Sequence, residues 1–261
     1  MLYGLCVPLD GFSLARDAGY DYVEFPGFQV AKLSKAEAER LAAALKDAGI
    51  PCRRINAYCA GTPAIVGPAA DDGATRVYAE TLFENAAILG AECVGIGAPA
   101  ARRVPEGYDA ARADEECVRF LKITASVAQR CGIRVLLEAV QHEMCNYLTK
   151  TPDALQMAQR LAIGNLGLVV DLYHMAKEGE DLDTLPTYLP LTRHMHVSTW
   201  ETGLRRRLFA EADAQQLAMC AAAIKKSGYD GTLSAEPDAK EISPQTAKTG
   251  LALLKAALAD A

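Results

Sequence analysis

Short apolar runs alternate along this chain with longer segments whose apolar positions recur three and four residues apart. The first pattern marks buried strands, the second amphipathic helices. "LYGLCV" opens as a strand, followed by "GFSLARDAG" as a short helix, and "YDYVEFPG" is a second strand closed by a Pro-Gly break. "SKAEAERLAAALKDAG" carries both of its helix ends in sequence. Ser34 and Glu37 form a capping box, in which the serine oxygen takes a free N–H of the first turn and the glutamate reaches back. Gly49 supplies the left-handed stop.

The cycle then repeats. "IPCRRINAYCAG" reads as a third strand and "TRVYAETLFENAAILGA" as a helix; "ECVGIGAP" is a fourth strand, and the long helix after it takes Asp109 as its cap. "IRVLLEAV" is a fifth strand, followed by the helix "TPDALQMAQRLA", with Thr151 expected as cap and Pro152 at the first helical position. "LGLVVDLYH" is a sixth strand and "LDTLPTYLP" a proline-limited helix; "TRHMHVSTW" is a seventh strand, "GTLSAEPD" an eighth, and helices follow both. Strands alternating with helices at this spacing are parallel and joined by crossovers. Eight such units predict an α/β fold, a closed (β/α)₈ TIM barrel, as a single domain over residues 1–261. The alternative is an open doubly wound sheet. Against it, the first strand has no Gly-x-Gly-x-x-Gly turn to cradle a dinucleotide.

Composition narrows the partners. A net charge of −6 opposes binding to a nucleic-acid backbone and suits a small molecule or a cation. No apolar run approaches the roughly 20 residues of a membrane span, so no membrane partner is expected. The eight cysteines are scattered, with no Cys-x-x-Cys pair. Free thiols in apolar runs behave as small hydrophobes, and a reducing, cytoplasmic compartment is expected.

In a closed parallel barrel, chemistry gathers at the C-terminal ends of the strands. The fifth strand ends in Glu138, the sixth in Asp171 followed by "LYH", and the eighth in Glu236; the seventh holds His194 and His196 on one face. Any one strand-end acid is ordinarily a helix cap or a surface charge. Four ionisable groups delivered by four consecutive strands to one rim point instead to a metal site at Glu138, Asp171, His196 and Glu236. This mixed oxygen and nitrogen set suits a divalent cation: manganese, magnesium, cobalt or zinc. His194 would sit one layer down. His174, one turn past Asp171, is either a substrate contact or a backbone cap. Arg205, Arg206 and Arg207 form either a phosphate grip or a solvated basic patch. Glu24 and Trp200 are further rim candidates, Trp200 as a sugar-stacking surface or as plain packing.

The segments "LLEAVQHEMCNYLT", "GLVVDLYH", "HMHVSTW" and "YDGTLSAE" resemble the sugar phosphate isomerase/epimerase superfamily of xylose isomerase-like TIM barrels. Within it the chain looks most like ketose 3-epimerases and hydroxypyruvate isomerases, over essentially its whole length. The resemblance implies a divalent metal, manganese first, held by Glu138, Asp171, His196 and Glu236, with Glu138 and Glu236 as catalytic acid and base. It implies substrate contacts at His174 and at Glu143, which sits one residue closer to its strand than in ketose 3-epimerases. Arg205 is taken as a third substrate contact. The 3-epimerases carry an arginine six residues after the strand-seven histidine, and this chain has Thr202 there. Hydroxypyruvate isomerases tend to have glutamine where this chain has His196, which favours the epimerase-like branch.

The implied function is a metal-dependent sugar or sugar phosphate isomerase or epimerase. It would transfer a proton next to a ketose carbonyl through a metal-stabilised enediolate. Its partner would be a small carbohydrate, and barrels of this kind often form homo-oligomers. Two alternatives stay open: a keto-inositol dehydratase using the same metal set, and a non-catalytic sugar-binding barrel.

Overall fold

The computed structural model describes residues 1–201 and 203–259. Its eight strands are β1 (Leu2–Cys6), β2 (Tyr22–Pro26), β3 (Cys52–Asn56), β4 (Cys93–Ile96), β5 (Arg134–Glu138), β6 (Leu166–Asp171), β7 (Thr192–Val197) and β8 (Thr232–Ala235). They close in sequence order into one parallel barrel, sealed where Leu2 to Leu5 of β1 pair with Thr232 to Ala235 of β8. Each expected strand forms.

The local helix signals act as their chemistry dictates. Ser34 and Glu37 make both bonds of the capping box at the start of Lys35–Ala48, and Gly49 ends that helix in the left-handed region. Asp109 caps Ala110–Arg130 by accepting the Arg112 N–H at 2.7 Å. The helix Thr151–Leu161 departs from expectation. Its cap position is Lys150, whose N–H donates to Asp153, and Thr151 lies inside the first turn. The Thr151 N–H and hydroxyl both donate to the Glu180 carboxylate, so that hydroxyl is not available to cap. "LDTLPTYLP" forms a 3₁₀ turn, Leu182–Thr184, running into a four-residue helix, Leu185–Tyr188. Three short helices follow strands directly: Gly27–Val30 after β2, Pro99–Arg102 after β4 and Leu172–Lys177 after β6.

Two apolar regions hold the barrel together. The larger lies between strands and helices and includes Leu5, Val23, Phe25, Leu82, Phe83, Leu137 and Met195. The smaller, Cys93, Leu136 and Val169, fills the inside of the barrel along β4 to β6. Opposite it the interior is polar: Tyr22, Glu24, Arg54, His194, His196, Thr232 and Ser234 are all buried. The period of two along each strand produces this face, since every second residue of β2, β3, β7 and β8 points inward. Packing there is tight enough to require glycine in β1, because a Cβ on Gly4 would stand 2.2 Å from the Tyr22 ring. Tyr22 in turn hydrogen-bonds Ser234 at 2.9 Å across the barrel.

Among the described residues no helix is long and apolar enough to cross a membrane. All eight cysteines are free thiols, and all but Cys131 are buried.

Candidate active site

The C-terminal ends of β5 to β8 bring Glu138, Asp171, His196 and Glu236 together, each offering a donor atom within 4.8 Å of the others. His196 presents Nδ1 to the group, 3.3 Å from Glu138 Oε1 and 3.3 Å from Glu236 Oε2. Asp171 divides its two oxygens. Oδ1 accepts the Tyr173 N–H at 2.9 Å, while Oδ2 faces the cluster. It is therefore a helix cap and a cluster member at once. His174, one turn on, is buried, with Nε2 3.5 Å from Asp171 Oδ2. Its Nδ1 accepts the Gln141 N–H at 3.4 Å. That bond leaves the ring proton on Nε2, directed into the site.

Arg206 stands at the centre. One guanidinium nitrogen, Nη2, lies 2.7 Å from Asp171 Oδ2 and 2.7 Å from Glu236 Oε2. Nε donates to Ser198, and the plane lies over the Tyr173 ring at 4.3 Å. Asn56 fixes the other oxygen of Glu236, donating to Oε1 at 2.7 Å. The sequence reading names neither Asn56 nor Arg206 individually. Asn56 is legible only through its even spacing from inward-facing Arg54 on β3.

Other expected contacts lie elsewhere. Arg205 points outward, half exposed and paired with Glu241 at 3.0 Å. Arg207 pairs with Asp213 at 2.8 Å and with Glu201. Glu143 is exposed on the rim, 3.5 Å from the Lys177 ammonium, outside the four-residue group. Trp200 packs away from the mouth, bonded through its backbone to Gln216, and it lines a groove with Leu182 and Met219. Glu24 is not on the rim but inside the barrel, bonded to both His194 and His196. Thr202, where the arginine of the 3-epimerase pattern would fall, lies outside the described residues.

The electrostatics of the group are unequal. Burial raises the pKa of Glu138, and Glu236 and Asp171 add to that against the pull of His196. Burial also opposes ionisation of Glu236, but Arg206 and His196 outweigh it and hold that carboxyl well below the usual range. Burial brings His174 down to about 4, so it is neutral at pH 7.

Do these residues fit a metal ion? Three carboxylates and one imidazole make the mixed donor set that divalent cations of intermediate hardness take. Glu236 Oε2 is a buried acceptor without an aligned donor: Arg206 is close enough for an ion pair but off the hydrogen-bonding direction. Asp171 Oδ2 and Glu236 Oε2 both turn toward one point, where the Arg206 guanidinium stands 2.7 Å from each. The donor set fits.

Beside Glu236 a cleft of about 200 Å³ opens to the surface, lined by Cys6, Phe28, Gln29, Asn56 and Pro237 among others, with no lysine or arginine. A closed parallel eightfold barrel with three carboxylates and an imidazole gathered at its C-terminal rim defines a class, the α/β barrels with a candidate cation site at that rim. More particularly, the chain belongs to the xylose isomerase-like TIM barrel family, whose model matches residues 12–257. It is 29% identical over 198 residues, 70% of either chain, to a Streptomyces coelicolor protein provisionally named hydroxypyruvate isomerase. Among solved structures it is similar to D-psicose 3-epimerase, with a TM-score of 0.81 and 18% identity over 99% of each chain. It is also similar to 3-keto-D-glucoside 4-epimerase from E. coli, with a TM-score of 0.74 and 21% identity over 98% of this chain and 99% of that one. At these identities the two likenesses are of fold.

Proposed function

We propose that this protein is a divalent-cation-dependent sugar isomerase or epimerase that moves a proton at the carbon beside a ketose carbonyl. The observation that carries this reading is the convergence of Glu138, Asp171, His196 and Glu236 at one rim, from four consecutive strands. A cation held by these four, manganese first with magnesium, cobalt or zinc as alternatives, would stabilise the negative charge that develops on the carbonyl oxygen.

The chain's own groups supply the rest. In strand order Glu138 and Glu236 flank Asp171 and His196, so they would address the substrate from two sides. One removes the proton beside the carbonyl, and the other returns it. Asn56 pins one oxygen of Glu236, which keeps the carboxylate oriented for that transfer. Asp171, tied to the Tyr173 N–H, is a structural anchor. His174 donates from Nε2 to a substrate hydroxyl, and Glu143 would orient hydroxyls at the outer end. Arg206 steadies charge on Asp171 and Glu236.

The substrate we assign is an uncharged monosaccharide. The cleft lining offers a phosphate no cation, and each of the three adjacent arginines is already matched by carboxylates. The Streptomyces relative bears the name of an isomerase and the structural neighbours bear the names of epimerases; both kinds of reaction begin with the same proton removal.

The test is to incubate the manganese-loaded protein with a panel of ketoses, ketose phosphates and hydroxypyruvate and to identify the products by NMR. A C3 epimer or an aldehyde isomer of an uncharged ketose is expected, and turnover of hydroxypyruvate or a ketose phosphate alone would overturn the substrate assignment. No product from the panel, together with dehydration of a keto-inositol, would overturn the proposal. So would tight sugar binding without turnover.

A further inference from the structure

A continuous chain of hydrogen bonds runs down the polar half of the barrel, from the four-residue group to the opposite end. His196 Nε2 lies 3.1 Å from Glu24 Oε1. The other oxygen, Glu24 Oε2, lies 2.8 Å from His194 Nε2. His194 Nδ1 lies 2.8 Å from the Thr232 hydroxyl, and Arg54 Nε donates to that hydroxyl at 3.2 Å. Arg54 also donates to Glu92, whose side chain is about half exposed. Every side chain between Glu92 and the cluster is buried.

The direction of each bond is forced. A guanidinium only donates, so the Thr232 oxygen accepts from Arg54 and keeps its own proton to give away. The carboxylate of Glu24 only accepts, so the histidine nitrogens facing it, His194 Nε2 and His196 Nε2, must carry protons. In a neutral His194 the other nitrogen is then bare, and it accepts the Thr232 O–H. The Thr232 carbonyl, 3.0 Å from the same nitrogen and accepting the Tyr229 hydroxyl at 2.9 Å, has no proton to give and so cannot serve a bare Nδ1. Were the His194 proton on Nδ1 instead, its bare Nε2 would face an oxygen lone pair of Glu24 at 2.8 Å.

From this geometry we infer that Glu24, oriented by His194, Thr232 and Arg54, is a positioning residue that fixes a proton of His196 on Nε2 and so makes Nδ1, 3.3 Å from Glu138 Oε1 and Glu236 Oε2, the nitrogen that a cation takes in place of a proton. The inference rests on the cation reading of the site. It assigns a role to residues as far away as Thr232 and Arg54, on the far side of Glu24 from the cluster. Groups that orient a metal-bound imidazole typically change affinity 10- to 100-fold when removed.

Thr232 is the place to test it, because it touches none of the four cluster residues. Thr232→Val keeps the shape and removes the O–H that His194 Nδ1 accepts. Thr232→Ser keeps the O–H. Mn²⁺ binding is followed by calorimetry, and the ring protonation of His194 and His196 by ¹H–¹⁵N NMR with diamagnetic Mg²⁺ in place of Mn²⁺. The wild type and Thr232→Ser should show Nε2–H on both histidines. Thr232→Val should leave the His194 Nδ1 without its donor, move its ¹⁵N resonance toward that of an unbonded lone pair, and weaken Mn²⁺ binding about tenfold. Glu24→Gln should weaken it by about 10- to 100-fold. A wild-type His194 carrying its proton on Nδ1 alone, or unchanged Mn²⁺ affinity in Thr232→Val, overturns the inference. A wild type that binds no Mn²⁺ overturns the cation reading instead, and the His194 tautomer in that sample still reports on the donor chain.

Discussion

Arg206 links two acids of the site, Asp171 and Glu236, and its neighbours in sequence do nothing comparable. With Nη2 2.7 Å from both Asp171 and Glu236, its loss would leave a buried and a largely buried carboxylate facing each other. Removing one partner of such a buried pair costs about 2–5 kcal/mol. Arg206→Met is therefore expected to lower kcat/KM by about 100-fold, and Arg205→Ala, at an exposed pair, by less than about twofold. Steady-state kinetics on the substrate found in the product panel decide it, and equal effects of the two substitutions would contradict the assignment. The sequence reading takes Arg205 from three adjacent arginines, and nothing local to the sequence separates it from Arg206. Successive side chains of this loop diverge, so 205 and 207 meet surface acids while 206 turns inward, and only the loop's path settles which does which. Glu143 fell outside the cluster for a similar reason: its position depends on how the segment after β5 folds back to Lys177. Asp171 and His196, by contrast, sit on strands whose period fixed their face in advance.

At the scale of elements, each cluster residue depends on how closely neighbouring strand ends approach. Gly97, just past β4, is the clearest case. A Cβ there would stand 2.7 Å from Glu138 Oε2 and 3.2 Å from the Val140 side chain. The carboxylate is the free end of a side chain and can swing aside, so the fold should survive while the proton-transfer geometry does not. Gly97→Ala is expected to shift Tm by no more than about 4 °C and to cut turnover at least tenfold, since misplacement by about 1 Å can cost 100-fold. Differential scanning calorimetry and kinetics on the same sample check it. A large loss of Tm with normal turnover would show that Gly97 matters to packing and not to Glu138. The strands, and the helices with strong caps, were legible because those signals are local. The helices Gly27–Val30 and Pro99–Arg102 were not, since four residues are too few to show a period. Thr151 was misplaced by one position because its bond to distant Glu180 replaces the local cap. Glu24 was placed at the rim although it shares the inward face of β2 with Tyr22, an assignment that becomes compelling only once His194 and His196 are known to lie across from it.

At the scale of the whole molecule, the barrel confines its polar interior to one side. The half along β4 to β6 is filled by apolar side chains, and the other half carries a directed series of donors ending at His196. At the C-terminal end of both halves Glu138, Asp171 and Glu236 join Glu24, with the Arg206 guanidinium against Asp171 and Glu236. Such a concentration of negative charge suits a cation more readily than an anionic substrate. Eight alternating runs made the barrel legible, because parallel strands require crossovers and eight of them close. What the sequence did not reveal was the depth of the site, which extends through the barrel to Thr232 and Arg54 and is not a ring of strand-end residues alone. The central claim is that Glu138 and Glu236 move one proton beside a substrate carbonyl. It is tested most directly by deuterium wash-in: manganese-loaded wild type, Glu138→Gln and Glu236→Gln are each incubated with the active ketose in D₂O, and the label is located by NMR. The account predicts deuterium at the carbon beside the carbonyl with the wild type and a loss of at least about 100-fold in product formation with either variant. Product formed without deuterium at that carbon, or normal exchange by both variants, would contradict it.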